Sequence, residues 1–157
     1  MKRFFKFALL SLVLTAFAAC DDDKSYVDPG LEVTPHNLSG TWQLAEWNGQ
    51  PLAQDSYVYL DLIRKDRKYK MYQNIDSFSS RLLTGTYNID TDSRTGSVIY
   101  GIYDHGIGYW QHRYYVRDLT AERMTWVAVD DPEDISVYVR CASIPENITA
   151  GYEEKKE

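Results

Sequence analysis

The side chains with the types to do chemistry in this 157-residue chain are three histidines, two cysteines and a few close-set acidic residues. His36, His105 and His112 form no i, i+2 or i, i+4 pair and have no cluster of cysteines beside them, so no set of zinc ligands can be read from their spacing. Asp90-Thr91-Asp92-Ser93-Arg94-Thr95-Gly96 begins like a calcium loop. Arg94, however, stands where the third oxygen ligand belongs, and the twelfth place is Gly101, so the run reads as a hairpin turn. Asp130-Asp131-Pro132-Glu133-Asp134 could gather a cation weakly, but such runs are far more often solvated loops. No Gly-x-Ser-x-Gly elbow, phosphate loop or dinucleotide fingerprint is present. Glycosidase-like carboxylate pairing is a separation in space, which sequence does not decide. The expectation is a protein without a cofactor or metal, and not an enzyme, since no nucleophile can be matched with a base. Asn37-Leu38-Ser39 and Asn147-Ile148-Thr149 fit the N-glycosylation pattern by chance.

The elements that must position any binding residues are strands. Thirteen Tyr, four Trp and five Phe stand against three Met, and flat aromatic side chains suit a pleated, half-buried surface. Two-residue alternation recurs every ten to twelve residues, predicting strands at 41–48, 57–63, 68–75, 82–90, 96–103, 110–118, 122–129 and 135–142. Mostly short connections make neighbours antiparallel, and eight such strands close into an up-and-down β-barrel of all-β class with room for side chains or one small ligand. Alternation puts Trp110, His112, Tyr114 and Val116 on the inner face, opposite Gln111, Arg113, Tyr115 and Arg117, because charge belongs in water. By the same reasoning Met124, Trp126 and Ala128, then Val98, Tyr100 and Ile102, then Val58, Leu60 and Leu62, and Tyr69, Met71, Gln73 and Ile75 point inward. Cys141, in the alternation Ile135, Val137, Val139, Cys141, is expected to be a small buried hydrophobe without chemistry.

The N-terminus carries Lys2, Arg3 and Lys6, an apolar stretch from Phe7 to Phe17 and the small residues Ala18 and Ala19, the pattern of a secretory signal over residues 1–19. The apolar run is shorter than the ~20 residues of a comfortable membrane span. Phe17-Ala18-Ala19-Cys20 resembles the lipobox of bacterial lipoproteins, which implies that Cys20 becomes the acylated first residue of the mature chain. Cys141 would then have no disulfide partner within the chain. Removing three basic residues from 17 leaves 14 against 23 acidic ones, a formal −9 that argues against nucleic acid and against a polybasic grip on lipid. Residues 20–37, with Pro29, Gly30 and Pro35, read as a flexible stalk, and 146–157 as a polar tail. Asp21-Asp22-Asp23-Lys24 resembles the acidic tether of Bacteroidota lipoproteins bound for the outer face of the outer membrane. In enterobacterial sorting the same Asp implies retention at the inner membrane, so the source organism decides between them.

Gly40-Thr41-Trp42 at the head of the first strand, ahead of eight meandering strands, is similar to the Gly-x-Trp signature of lipocalins and of lipocalin-like lipoproteins. Asn48-Gly49-Gln50-Pro51-Leu52 and Gly85-Thr86-Tyr87 are further similar features, and the resemblance spans about Leu38 to Cys141 within a barrel domain expected over 38–145. It implies that Gly40 and Trp42 are structural, with Trp42 packing under the core. It also implies an interior that binds a small hydrophobic or amphipathic molecule, and the aromatic and polar side chains that alternation places inside, Trp110, His112, Tyr114, Trp126, Tyr100 and Met71, would line such a pocket. These residues could instead simply fill the barrel. The alternative function is a cell-envelope module that meets a protein or a glycan through an outer face bearing Tyr72, Arg113, Tyr115, Arg117 and Tyr138.

Overall fold

A computed structural model describes residues 30–75, 79–106 and 108–152. The signal segment, Cys20 and the acidic tether lie outside the described residues. Strands β1 (Gly40–Trp47), β2 (Gln50–Pro51), β3 (Val58–Ile63), β4 (Lys68–Gln73), β5 (Arg81–Asp92), β6 (Gly96–Tyr103), β7 (Tyr114–Arg117), β8 (Arg123–Ala128) and β9 (Ile135–Cys141) follow one another in one antiparallel sheet. Two short helices flank them, α1 (Pro35–Leu38) and α2 (Glu146–Thr149).

Pairing of β1 with β9 closes the sheet into an eight-stranded barrel, the two-residue β2 being a hairpin return at the rim. The turns follow from their residues. Asn48 and Gly49 both take positive φ to join β1 to β2, the conformation a two-residue hairpin needs. Between β5 and β6, Asp92 Oδ1 accepts from the amides of Arg94 at 2.7 Å and Thr95 at 3.1 Å. The calcium-like run is thus a hairpin turn, and these amides hold the Asp92 carboxyl below its ordinary range.

The inner face collects Trp42, Leu44, Val58, Leu60, Leu62, Tyr69, Tyr87, Ile99, Val116, Met124, Trp126 and Tyr138 into one core. Of the expected inward sets, Val58, Leu60 and Leu62 of β3, Tyr69 of β4, and Met124 and Trp126 of β8 are found there, with Met71 half-buried against them, whereas Ile75 lies past the end of β4 and is exposed. Strand β6 is turned the other way. Ile99 is fully buried opposite Tyr114, and Tyr87 pairs with Gly101, so Val98, Tyr100 and Ile102 face outward. The run Val98-Ile99-Tyr100 is apolar on both faces, so alternation had no charge there to choose a side. Strand β9 is also reversed. Leu44 pairs with Tyr138 and Trp42 with Arg140, which puts Tyr138 and Arg140 inside and Cys141 on the outer face.

A second, smaller cluster lies outside the barrel, where Tyr59 and Tyr72 are covered by Ile148 with Tyr57, Leu82, Cys141, Ile144 and Tyr152 around them. The Tyr152 ring meets that of Tyr72 edge-on at 5.7 Å, and its hydroxyl donates to the Ser80 carbonyl. The segment expected to be a polar tail therefore seals the outer face of β3 and β4 as far as Tyr152. Tyr72 and Tyr138, expected on an exposed face, are both buried. Burial, helped by the charge of Asp61, pushes the Cys141 thiol up and keeps it protonated.

Of the expected stalk, residues 30–37 are held to the barrel. The Leu31 amide donates to the Leu119 carbonyl at 2.6 Å, and Val33 packs on the core. Thr34 caps α1 by accepting from the Asn37 amide, as a side-chain oxygen at a helix start does.

Candidate functional site

The two ends of the barrel differ. At one end Trp42 is fully buried, and its indole N–H donates to the Leu38 carbonyl at 2.8 Å. The Arg140 guanidinium lies over the Trp42 ring with Cζ 4.0 Å from the centroid. It donates to the carbonyls of Ala121 at 2.6 Å, Ser39 at 2.7 Å and Asn37 at 2.9 Å. Arg140 thereby bolts α1, the start of β1 and the β7–β8 loop to β9. Partial burial lowers its affinity for its proton. Gly40 has φ +122°, and a Cβ there would lie 2.4 Å from Arg140 Nη1, so the turn into β1 has no room for a larger residue.

The opposite end is open and holds a cavity of about 490 Å³, within the range of small-molecule sites. Its wall is aromatic. The Trp126 ring stands 5.7 Å from Trp110, 5.4 Å from Tyr114 and 4.9 Å from Tyr138. Trp110 meets Tyr69 edge-on at 5.1 Å, and burial is the main reason the Tyr69 hydroxyl is pushed up to about 12. Trp110 reaches this position because the ladder breaks before β7. Residues 110–113 leave the sheet, and the Trp110 ring lies over Gly101, where a Cβ would sit 2.2 Å from it.

Trp110, His112, Tyr114, Trp126 and Met71 all line this cavity. Tyr100 does not. Its hydroxyl donates to Asp90 at 3.3 Å and Arg113 lies over its ring, 4.7 Å to the centroid. It borders only a smaller outer cleft of about 300 Å³.

Sequence reading missed Trp47, Tyr103, Tyr138, Asp131 and Asp134 as lining residues, and Gln111, expected on the outer face, lines the cavity as well because residues 110–113 are not in the sheet. The signal for Tyr138 was its pairing opposite Leu44, which only the closed barrel reveals. Asp131 and Asp134 belong to the loop that was read as solvated.

The polar groups at the mouth are ordered. Asp134 Oδ1 accepts from the Trp47 indole at 2.8 Å, and His112 Nδ1 lies 2.8 Å from Asp130 Oδ1. That contact holds the Asp130 carboxyl below its ordinary range. Burial raises the hydroxyls of Tyr114 and Tyr138 well above 10, with the charge of Asp134 adding to both. The buried Trp126 N–H has no acceptor among the described residues.

No group of three His, Cys, Asp or Glu able to hold a metal occurs among the described residues, and His36, His105 and His112 stay apart. The arrangement can enclose a molecule, stack on it and orient it by a few hydrogen bonds.

An antiparallel barrel with one sealed and one open end is the architecture of a small-molecule container. The lipocalin-like domain family matches residues 38–126, and the chain belongs to it. A similar solved structure is the bovine odorant binding protein in complex with a selenium-containing odorant, at 13% identity and a TM-score of 0.39 over 78% of this chain and 82% of that one. No curated protein matches.

Proposed function

We propose that the protein is a non-enzymatic binder of a small hydrophobic or amphipathic molecule, held at a membrane through acylated Cys20 and displayed at the outer surface. The observation that carries the binding reading is the open cavity of about 490 Å³ walled by Trp110, Tyr114, Trp126 and Tyr138. A barrel filled by its own side chains would have no such space. Titration with the apolar dye N-phenylnaphthylamine tests the reading. Saturable binding by the folded protein, weakened by Trp126→Ala, is expected, and its absence would overturn it.

The anchoring part rests on Phe17-Ala18-Ala19-Cys20 and the acidic residues after it. Its tests are acyl-chain incorporation lost in Cys20→Ser, and shaving of the protein from whole cells by added protease. Protection under conditions that cut other surface proteins would move it to an inner compartment.

A second reading, an outer face that meets an envelope protein or a glycan, keeps support at one place. Arg117 lies over the Tyr115 ring at 4.5 Å, beside the pair Arg113 and Tyr100, and ordered Tyr and Arg side chains are frequent interface anchors. Retention of every captured partner by a Tyr115→Ala, Arg117→Ala variant would remove this reading.

A further inference from the structure

We infer that the cavity selects an amphipathic organic cation, an ammonium head on an apolar body, over a carboxylate or a neutral molecule of the same size. This inference rests on the binding reading above and adds the ligand's charge to it.

The first observation is which charges line the space. Among the described residues no Lys or Arg borders the cavity, while Asp131 and Asp134 do. His112 could bring positive charge, but it stands 2.8 Å from the Asp130 carboxylate, which offsets it. No ion pair with a Lys or Arg neutralises Asp131 or Asp134 among the described residues. Asp134 takes only the neutral Trp47 N–H through Oδ1, and Asp131 Oδ1 takes the Glu133 amide at 3.2 Å. An anionic headgroup entering here would meet like charge without a cation to receive it.

The second observation is the wall below the carboxylates. Trp126, Trp110, Tyr114 and Tyr138 form a continuous set of rings with neighbouring centroids 4.9–5.7 Å apart. Aromatic faces attract ammonium groups through the ring quadrupole, more strongly where water is excluded. The field of the carboxylates extends to this wall, since the charge of Asp134 adds to the upward shift of the hydroxyls of both Tyr114 and Tyr138. The acidic rim and the ring wall favour the same ligand, and the formal excess of 23 acidic over 14 basic residues in the chain from Cys20 onward favours the approach of cations from a distance.

The test uses three probes of one chain length, decylammonium, decanol and decanoate, each added as monomer and followed by tryptophan fluorescence. Decylammonium is expected to bind about tenfold more tightly than decanol, with decanoate weakest. The preference should shrink as salt rises from low to physiological strength. In the double variant Asp131→Asn, Asp134→Asn the decylammonium-to-decanol ratio should fall toward one. Asn keeps an acceptor for the Trp47 N–H, and an unchanged thermal midpoint would show that the fold is retained. Equal binding of all three probes, or tighter binding of decanoate, overturns the inference while leaving the container intact. So does a ratio unmoved by the double variant. Failure of all three probes to bind overturns the container reading itself and this inference with it.

Discussion

Replacing Arg140 by Met should cost about 3–4 kcal/mol of stability, although Arg140 has no carboxylate partner among the described residues. Its guanidinium satisfies three carbonyls, of Ala121, Ser39 and Asn37, and covers the Trp42 ring at 4.0 Å. Hydrogen bonds made by a charged donor contribute about 1.5–3 kcal/mol each, but three that share one half-exposed group are not additive, so about 2–3 kcal/mol is a fair sum. The ring contact adds about 1 kcal/mol. Met preserves most of the stem's packing, so the loss measures the polar head. Urea unfolding followed by tryptophan fluorescence would read the change directly, and a thermal midpoint lower by about 10 °C should accompany it. Arg140→Lys should recover only part, because a point charge cannot span three carbonyls in a planar fan. A Met variant within about 1 kcal/mol of the parent would refute the claim that this side chain holds the closed end together.

The alkaline limb of stability should be set by the buried tyrosines. Tyr114 and Tyr138 are held above the ordinary value of 10.0 in the fold, whereas the unfolded chain ionises them near 10. The native state therefore binds more protons there, and urea midpoints should fall as pH rises above about 10. A flat profile from pH 9 to 11 would contradict this. On the acid side, Asp130 is depressed below 3.8 by His112, so its contribution is present above that value and fades as pH falls below it. The stability difference between the parent and Asp130→Asn should accordingly shrink as pH falls below 3.8, and a difference unchanged by acid would count against the contact. Gly101→Val should force the Trp110 ring off its place, since even a Cβ would lie 2.2 Å from it, and should weaken dye binding about tenfold. Tyr100→Ala should change dye affinity less than about twofold, because its ring lies under Arg113 on the outer face; a loss as large as that of Trp126→Ala would return Tyr100 to the cavity.

How far the sequence could be read depended on whether each strand carried a charge that had to face water. In the segment 110–117, Arg113 and Arg117 settled the face for Tyr114 and Val116; Trp110 and His112 line the cavity too, but so does Gln111, expected on the opposite face, because residues 110–113 leave the sheet and two-residue alternation does not govern them. In β6 no charge interrupts Val98-Ile99-Tyr100, and the choice fell on the wrong side. In β9 the rule itself misled, because Arg140 lies inside and its neighbours at odd positions face out. Burying it is possible only because carbonyls from three distant segments converge on its head, a condition of tertiary structure that no local pattern records. The aromatic wall was therefore legible in part. The acidic rim was not, because the proximity of Asp131 and Asp134 to that wall is created by closure of the barrel.

That closure also orders the molecule along its axis. The chain arrives at Leu31 beside Leu119, at the end sealed by Trp42 and Arg140, while Trp47, Asp131 and Asp134 mark the other end. Sealing one end with a fixed hydrogen-bond network leaves the rim carboxylates Asp131 and Asp134 at the opposite end free of a structural ion pair among the described residues, while the ring wall beneath them remains part of the core. Substitutions should therefore separate: changes at Arg140 or Trp42 should move the unfolding midpoint, and changes at Asp131 or Asp134 should move ligand affinity. An Asp131→Asn, Asp134→Asn variant that lost stability as heavily as an Arg140 variant would show instead that the rim, too, holds the fold together.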